Sequence, residues 1–254
     1  MLYVDEFVYT NKLRNSHPLE RFIFAFVTLI IGILTNNPLI NLIIVTIMLS
    51  FLIYWAKIPS FVVVRLMLIP MGFLVLGVVT IAISISFSPN DMLAYIPVGT
   101  YYLGITFKSL NLAISTMLRA LSSISCLYFL ALTTPMIELI YVLEILKMPN
   151  IVTELMILVY RFIFIFIETA FNIYTAQSSR WGYCNFKRSI YSLGILFANL
   201  WGKAFLKSKA LFISLLSRGY ENKLQVLNPK YRFSKVYIIT FGIIDLLLII
   251  MAFI

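Results

Sequence analysis

Long apolar blocks separated by short polar breaks run along most of this chain. The first extends from Leu19 to Leu34 and ends in Thr35-Asn36-Asn37-Pro38, a tight turn whose proline opens the next helix. The second, Leu39–Ala56, is closed by Lys57-Ile58-Pro59-Ser60. The third, Phe61–Phe87, offers about 27 residues where a bilayer needs roughly 20, so it tilts or projects, and Pro70 with Gly72 supplies a place to kink. Ser88-Pro89-Asn90-Asp91 then begins a loop that runs to about Thr106. The fourth block is Phe107–Leu132 and the last is Val236–Ile254. The pattern predicts five transmembrane helices.

Residues 134–235 are less simple. Met156–Phe166 is apolar enough to look like another span, as is Leu211–Leu216 with its upstream neighbours. However, the first segment carries Glu154, Arg161 and Glu168 on or near one helical face, and the second carries Lys203, Lys207 and Lys209. Such helices fit an interface, or a groove against other helices, better than lipid. Two further crossings would leave the parity of the chain unchanged, so a seven-span arrangement stays open on charge alone. Each segment holds about 32 residues, or about 48 Å of continuous helix. Within the second, Gly194, Ala198 and Gly202, continued by Ala210 and Ser214 past Leu206, form a small-residue ridge. A ridge of this kind predicts a tight crossing of the two long helices.

Composition sets the class. Hydrophobic residues make up 61% of the 254 and charged residues 12%, with a mean hydropathy of +0.98. A soluble domain of this size needs more polar surface, so this is an integral membrane protein. The net charge of +10 is explained by sidedness and not by nucleic acid. The 35–38 turn and the 88–107 loop hold no lysine or arginine, whereas thirteen of the twenty basic residues lie between Lys147 and Lys235. By the positive-inside rule the N-terminus and the basic block are cytoplasmic and the C-terminus is outside. The opening Met-Leu-Tyr-Val-Asp-Glu is acidic and is not a cleavable signal. The expected domains are a four-span region over 1–133, a cytoplasmic segment over 134–220, and a linker with the last span over 221–254.

Few residues suggest chemistry. There is no P-loop, since Gly202-Lys203 is followed by Ala204 with Phe197 at the first glycine position, and there is no HExxH and no Ser/His/Asp set. Cys126 and Cys184 suggest no disulfide framework, and the lone histidine, His17, reads as structural beside Pro18. No metal-ligand set is expected. Arg119 and Asp245 fall near the middle of their spans and form a candidate intramembrane pair that locks the bundle. The two long segments close on Ser179-Arg180-Trp181-Gly182-Tyr183 and Ser217-Arg218-Gly219-Tyr220, two arginines 38 positions apart in matching contexts. Arginine suits a helix C-terminus and grips carboxylates with its fork. A repeated context implies a repeated socket on a partner.

Asp5, Tyr9-Thr10-Asn11-Lys12-Leu13-Arg14, His17-Pro18, Leu132-Thr133-Thr134-Pro135 with Glu138-Leu139, Met148-Pro149, Tyr160-Arg161-Phe162 and the two arginine signatures together resemble one family. It is the transmembrane T component of energy-coupling factor (ECF) transporters, of the CbiQ type found in cobalt uptake. The resemblance covers nearly the whole chain. It implies an all-α integral membrane protein of about five transmembrane helices, with two long crossing cytoplasmic coupling helices and a short one over 136–147. It further implies a non-enzymatic subunit that needs no cofactor, ATP being bound by two cytoplasmic ABC-type ATPases. A separate substrate-binding membrane subunit captures the cargo, expected to be cobalt. Ser179-Arg180-Trp181 and Ser217-Arg218-Gly219 are then the plugs that enter the ATPases, with Trp181 standing where the family commonly has glycine. Two rivals remain at this point. A self-contained secondary transporter or channel would build on Arg119 and Asp245, and a membrane-embedded enzyme would need clustered carboxylates or histidines.

Overall fold

The computed structural model describes residues 3–86, 92–98, 101–220 and 233–253. Nine helices and one small sheet are present among them: α1 (Tyr3–Thr10), α2 (Pro18–Leu34), α3 (Pro38–Ser50), α4 (Ser60–Ala82), β1 (Ile83–Ser86), β2 (Met92–Val98), β3 (Tyr101–Thr106), α5 (Phe107–Thr133), α6 (Met136–Ile145), α7 (Asn150–Ser178), α8 (Phe186–Ser217) and α9 (Lys235–Phe253). The protein is an all-α integral membrane protein apart from that sheet. Two compact units can be distinguished, Leu2–Leu139 with Lys230–Ile254 and the intervening Ile140–Pro229.

The first unit is a helical bundle. Pro18 and Pro38 open α2 and α3 at positions where a missing N–H costs nothing, and His17 and Asn37 cap them by accepting from the amides of Leu19 and Leu39. The helix begun by α3 continues through a π-helical turn, Phe51–Trp55, which completes an 18-residue apolar run. Phe24 of α2 lies at the centre, stacked on Phe241 at 4.3 Å and edge-on to Phe51 and Phe129. Gly32 lets α2, α3 and α5 close on one another, because a Cβ there would stand 2.9 Å from Ser122 Oγ. That hydroxyl donates to the buried Asn41 Oδ1 at 2.9 Å, and the Asn41 amide donates to the Thr35 carbonyl.

Two features differ from expectation. The third span stops at Ala82, and the expected loop holds antiparallel strands in the order β1-β3-β2, with a bulge between Met92 and Ala94. The alternation Ile83-Ser84-Ile85-Ser86 has the period of a strand, not a helix. Phe87, residues 88–91 at the beginning of the expected loop, the expected linker over 221–232 and Ile254 lie outside the described residues. The second difference concerns which helices could cross. Among the described residues five are long and apolar enough: Pro38–Trp55, Ser60–Ala82, Phe107–Thr133, Asn150–Ser178 and Lys235–Ala252. Helix α7 is therefore not separated from the spans by length and apolarity. Helix α2, at 17 residues, reaches about 26 Å, slightly less than the hydrocarbon core.

Candidate functional site

The residues that carried the resemblance fall into two structural groups, one in each unit. In the bundle, α5 must end before Pro135, which leaves its last carbonyls without helical partners. The side-chain amide of Asn11 donates to the carbonyls of Leu132 and Thr133, at 3.2 and 3.3 Å. Arg21 also donates to the Thr133 carbonyl, as well as to the Ser16 carbonyl at 3.2 Å and to Glu138 Oε2 at 2.6 Å. Arg21 is fully buried and Glu138 nearly so. The cation sits at the C-terminal end of α5 and the carboxylate in the first turn of α6, so both helix dipoles favour the pair. The Asn11 and Leu-Thr-Thr-Pro elements thus meet at one buried polar knot.

Beside it, the start of α9 docks on the start of α2. The rings of His17 and Phe233 stack at 3.9 Å, and the amide of Ser234 donates to Glu20 Oε1 at 3.0 Å. Burial, and then the Arg21 charge, hold the His17 imidazole below its usual range. His17 is a cap and a packing surface, as expected of a structural histidine.

The second group is the pair α7–α8. The elbow between them is knit around Gln177. Its amide donates to the Ser192 carbonyl at 3.0 Å, its Oε1 accepts from the Tyr183 hydroxyl at 2.7 Å, and Ser192 Oγ donates to the Gly182 carbonyl at 2.8 Å. Gly182 has no room for a Cβ, which would lie 2.8 Å from the Gln177 carbonyl. At the far end of the pair the Tyr220 hydroxyl donates to Glu154 Oε2 at 2.7 Å. That carboxylate holds the phenol above its ordinary range.

Both arginine signatures have one backbone geometry. The amide of Gly182 bonds to the Gln177 carbonyl and that of Trp181 to Ser178. The amide of Tyr220 bonds to Leu215 and that of Gly219 to Leu216. These are paired Schellman motifs, each with a left-handed residue directly after the arginine: Trp181 at φ 57° and Gly219 at φ 73°. Arg180, Trp181, Arg218 and Gly219 are all exposed. Trp181 adopts the conformation that glycine provides elsewhere, so its substitution preserves the shape of the cap. Helix α6 closes in the same way, with Lys147 at φ 62° and the Met148 amide on the Leu143 carbonyl.

Two expected arrangements are not formed. Gly194, Ala198 and Gly202 are exposed, and a Cβ at Gly194 or Gly202 would meet nothing within 4 Å. The covered face of α8 is instead the stripe Ser192, Leu196, Leu200, Ala204, Leu211 and Leu215. Leucines bury far more apolar area than glycines, so they take the inward position. Nor do Arg119 and Asp245 pair. Arg119 donates to Asn36 Oδ1 and to the Thr35 carbonyl, binding α5 to the turn after α2. Asp245 lines a cavity with Glu20. The single ion pair among the described residues, Arg21–Glu138, is one the apolar pattern concealed. The rule that flagged Arg119, a charge inside an apolar block, applies equally to Arg21. No group of three or more potential metal ligands is found among the described residues.

The CbiQ family profile, described as cobalt transport protein, matches residues 10–227. The chain belongs to the CbiQ cobalt transport protein family. Residues 10–227 take in both groups just described, the Asn11–Arg21–Glu138 knot and the two arginine caps. An uncharacterized protein of Methanocaldococcus jannaschii is 36% identical over 98% of this chain and 92% of its own length. The CbiQ cobalt transport protein of Salmonella typhimurium is 36% identical over 62% of this chain and 70% of its own. A protein of Methanocorpusculum labreanum described as a fused cobalt transport protein, CbiMQ, is 31% identical over 86% of this chain, which spans 36% of that longer relative. This CbiQ-family chain is thus a multi-pass membrane component of a transporter family and not of an enzyme family.

Proposed function

We propose that this CbiQ-family protein is the coupling subunit of an ECF-type importer for cobalt, joining two cytoplasmic ABC-type ATPases to a separate substrate-binding membrane subunit. The observation that carries this reading is the pair of matching Schellman caps, which hold Arg180 and Arg218 exposed, 38 residues apart, on equivalent backbone. Two equal plugs suit two equal sockets, as two copies of one ATPase provide. Each guanidinium reaches a carboxylate in a groove and forms a directional, charge-assisted contact. Helices of about 43 and 48 Å then carry a displacement at the plug toward the bilayer. The Glu154–Tyr220 and Gln177–Ser192 contacts fasten the two levers to each other at both ends, so that they move together.

Orientation follows from charge. With Lys12, Lys57 and the 147–235 block on one side, the N-terminus and the arginine plugs face the cytoplasm and the C-terminus lies outside. In this arrangement α7 and α8 work from the cytoplasmic side as the coupling domain of residues 134–220. This chain uses no cofactor of its own, and nucleotide is bound by its partners. The relative described as fused, of which this chain spans 36%, supports placing a second component beside this one.

The test is affinity purification of tagged wild type beside the Arg180→Glu/Arg218→Glu variant, with ATP hydrolysis measured in each eluate. Wild type brings down ATPase activity, and the double variant loses it by roughly tenfold or more, the cost of reversing a buried charge contact. Full ATPase recovery with the double variant overturns the assignment of these plugs.

A further inference from the structure

Within the bundle unit a cavity of about 290 Å³ lies between α2 and α9, lined mainly by Ile23, Phe24, Ile238 and Phe241, with Gly242 beside it. Its polar features are two carboxylates. Glu20 is 7% exposed, and its Oε2 has no hydrogen-bond partner. Asp245 Oδ1 is likewise buried and unpartnered. Ser234 fixes Glu20 at the start of α9, whereas Asp245 lies about 16 Å further along that helix. The two acids therefore mark the mouth and the depth of one elongated groove. Neither Arg119 nor Arg21 fills it, since their guanidinium groups are held elsewhere. An oxygen acceptor left without a donor in an apolar, low-dielectric place is costly, and more so when charged.

We propose that this groove seats a transmembrane helix of another subunit, which presents a lysine or arginine side chain to Asp245. Three observations define that occupant. The unmet need is for donors, so the occupant carries a cation or long amide. The need extends three turns below the groove mouth, beyond the reach of a lipid headgroup amine, and an acyl chain offers Asp245 nothing. Gly242, one turn before Asp245 on the same face, has open space where its Cβ would be, so a neighbouring helix can approach closely there. The exposed Ile238, Leu246 and Ile249 continue the apolar face to either side. The inference relies on the functional reading above only in taking the chain to work among other membrane subunits.

The test uses the intact complex purified through a tag on this chain. Asp245→Ala and Gly242→Trp, which respectively remove the acceptor and fill the approach, each lower the ratio of a second membrane subunit to this chain about tenfold, equivalent to about 1.4 kcal/mol. Produced without partners, each full-length variant gives the detergent gel-filtration profile of the wild-type chain produced alone, which excludes misfolding. A Gly242→Cys variant, cross-linked in membranes and mapped by mass spectrometry, joins a span with lysine or arginine within one turn of the linked position. The proposal is overturned by an unchanged subunit ratio in both variants, a cross-link to a second copy of this chain, a linked span without such a donor, or a groove that retains only lipid. A wild-type complex lacking ATPases would count against the coupling assignment alone, since the cross-link is read independently of nucleotide.

Discussion

Arg21 is the residue on which the bundle depends most. Its guanidinium is wholly buried and serves the end of α5, the start of α6 and the Ser16 carbonyl together. Removing one partner of a buried pair leaves an uncompensated charge, so Arg21→Met or Glu138→Leu alone is expected to cost about 3–5 kcal/mol. Thermal unfolding in detergent will show the double replacement recovering most of that loss. His17 makes a pH-dependent contribution. Its folded pKa lies below the unfolded one near 6.5, so the unfolded chain binds the extra proton in the window between them. Stability therefore falls as pH drops below about 6.5, and His17→Asn, which retains a cap, flattens that slope in melting curves taken across pH 5–8. Trp181 occupies a backbone region costly to a residue with a Cβ, by about 1–2 kcal/mol. Trp181→Gly should raise the melting temperature of the isolated chain. If the exposed indole belongs to the socket contact, the same change weakens ATPase capture. A strained position that relaxes on mutation while binding suffers is the signature of a functional site.

At the scale of elements, the apolar blocks predicted the helices well because burial in lipid or protein imposes a long run that short-range chemistry cannot imitate. Turn prolines and caps then set their starts at Pro18 and Pro38. The helices α7 and α8 were legible for the same reason, and the rhyme of their arginine signatures proved to be a rhyme of backbone, hydrogen bond for hydrogen bond. The small sheet was not legible, since four residues of period-two alternation at the end of a long apolar run are too few to end a helix by inspection. The small-residue ridge misled for a different reason. Spacing identifies a face on which close approach is permitted, but the larger apolar area of Leu196 and Leu200 decides which face is used. The Arg119–Asp245 pair failed because depth along two helices says nothing about rotation around them. Rotation also decides where Glu20 points. That its carboxylate reaches both Ser234 and the groove needed the structure.

At the scale of the molecule, the bundle unit is discontinuous, being interrupted by the 140–229 unit. Its closing contacts, Glu20 with Ser234 and Phe24 with Phe241, join residues more than two hundred positions apart. Such separations make assembly slow and leave surfaces uncovered meanwhile. During synthesis α2 is made long before α9 leaves the ribosome, so Phe24 has no Phe241 to stack on until almost the whole chain has been made. A chain arrested at residue 234 should therefore be inserted but short-lived, degraded faster than full-length protein in a pulse-chase. Quality control would then have a simple criterion. A subunit whose α2 and α9 have not met has no groove between them, and it cannot be mistaken for one ready to assemble.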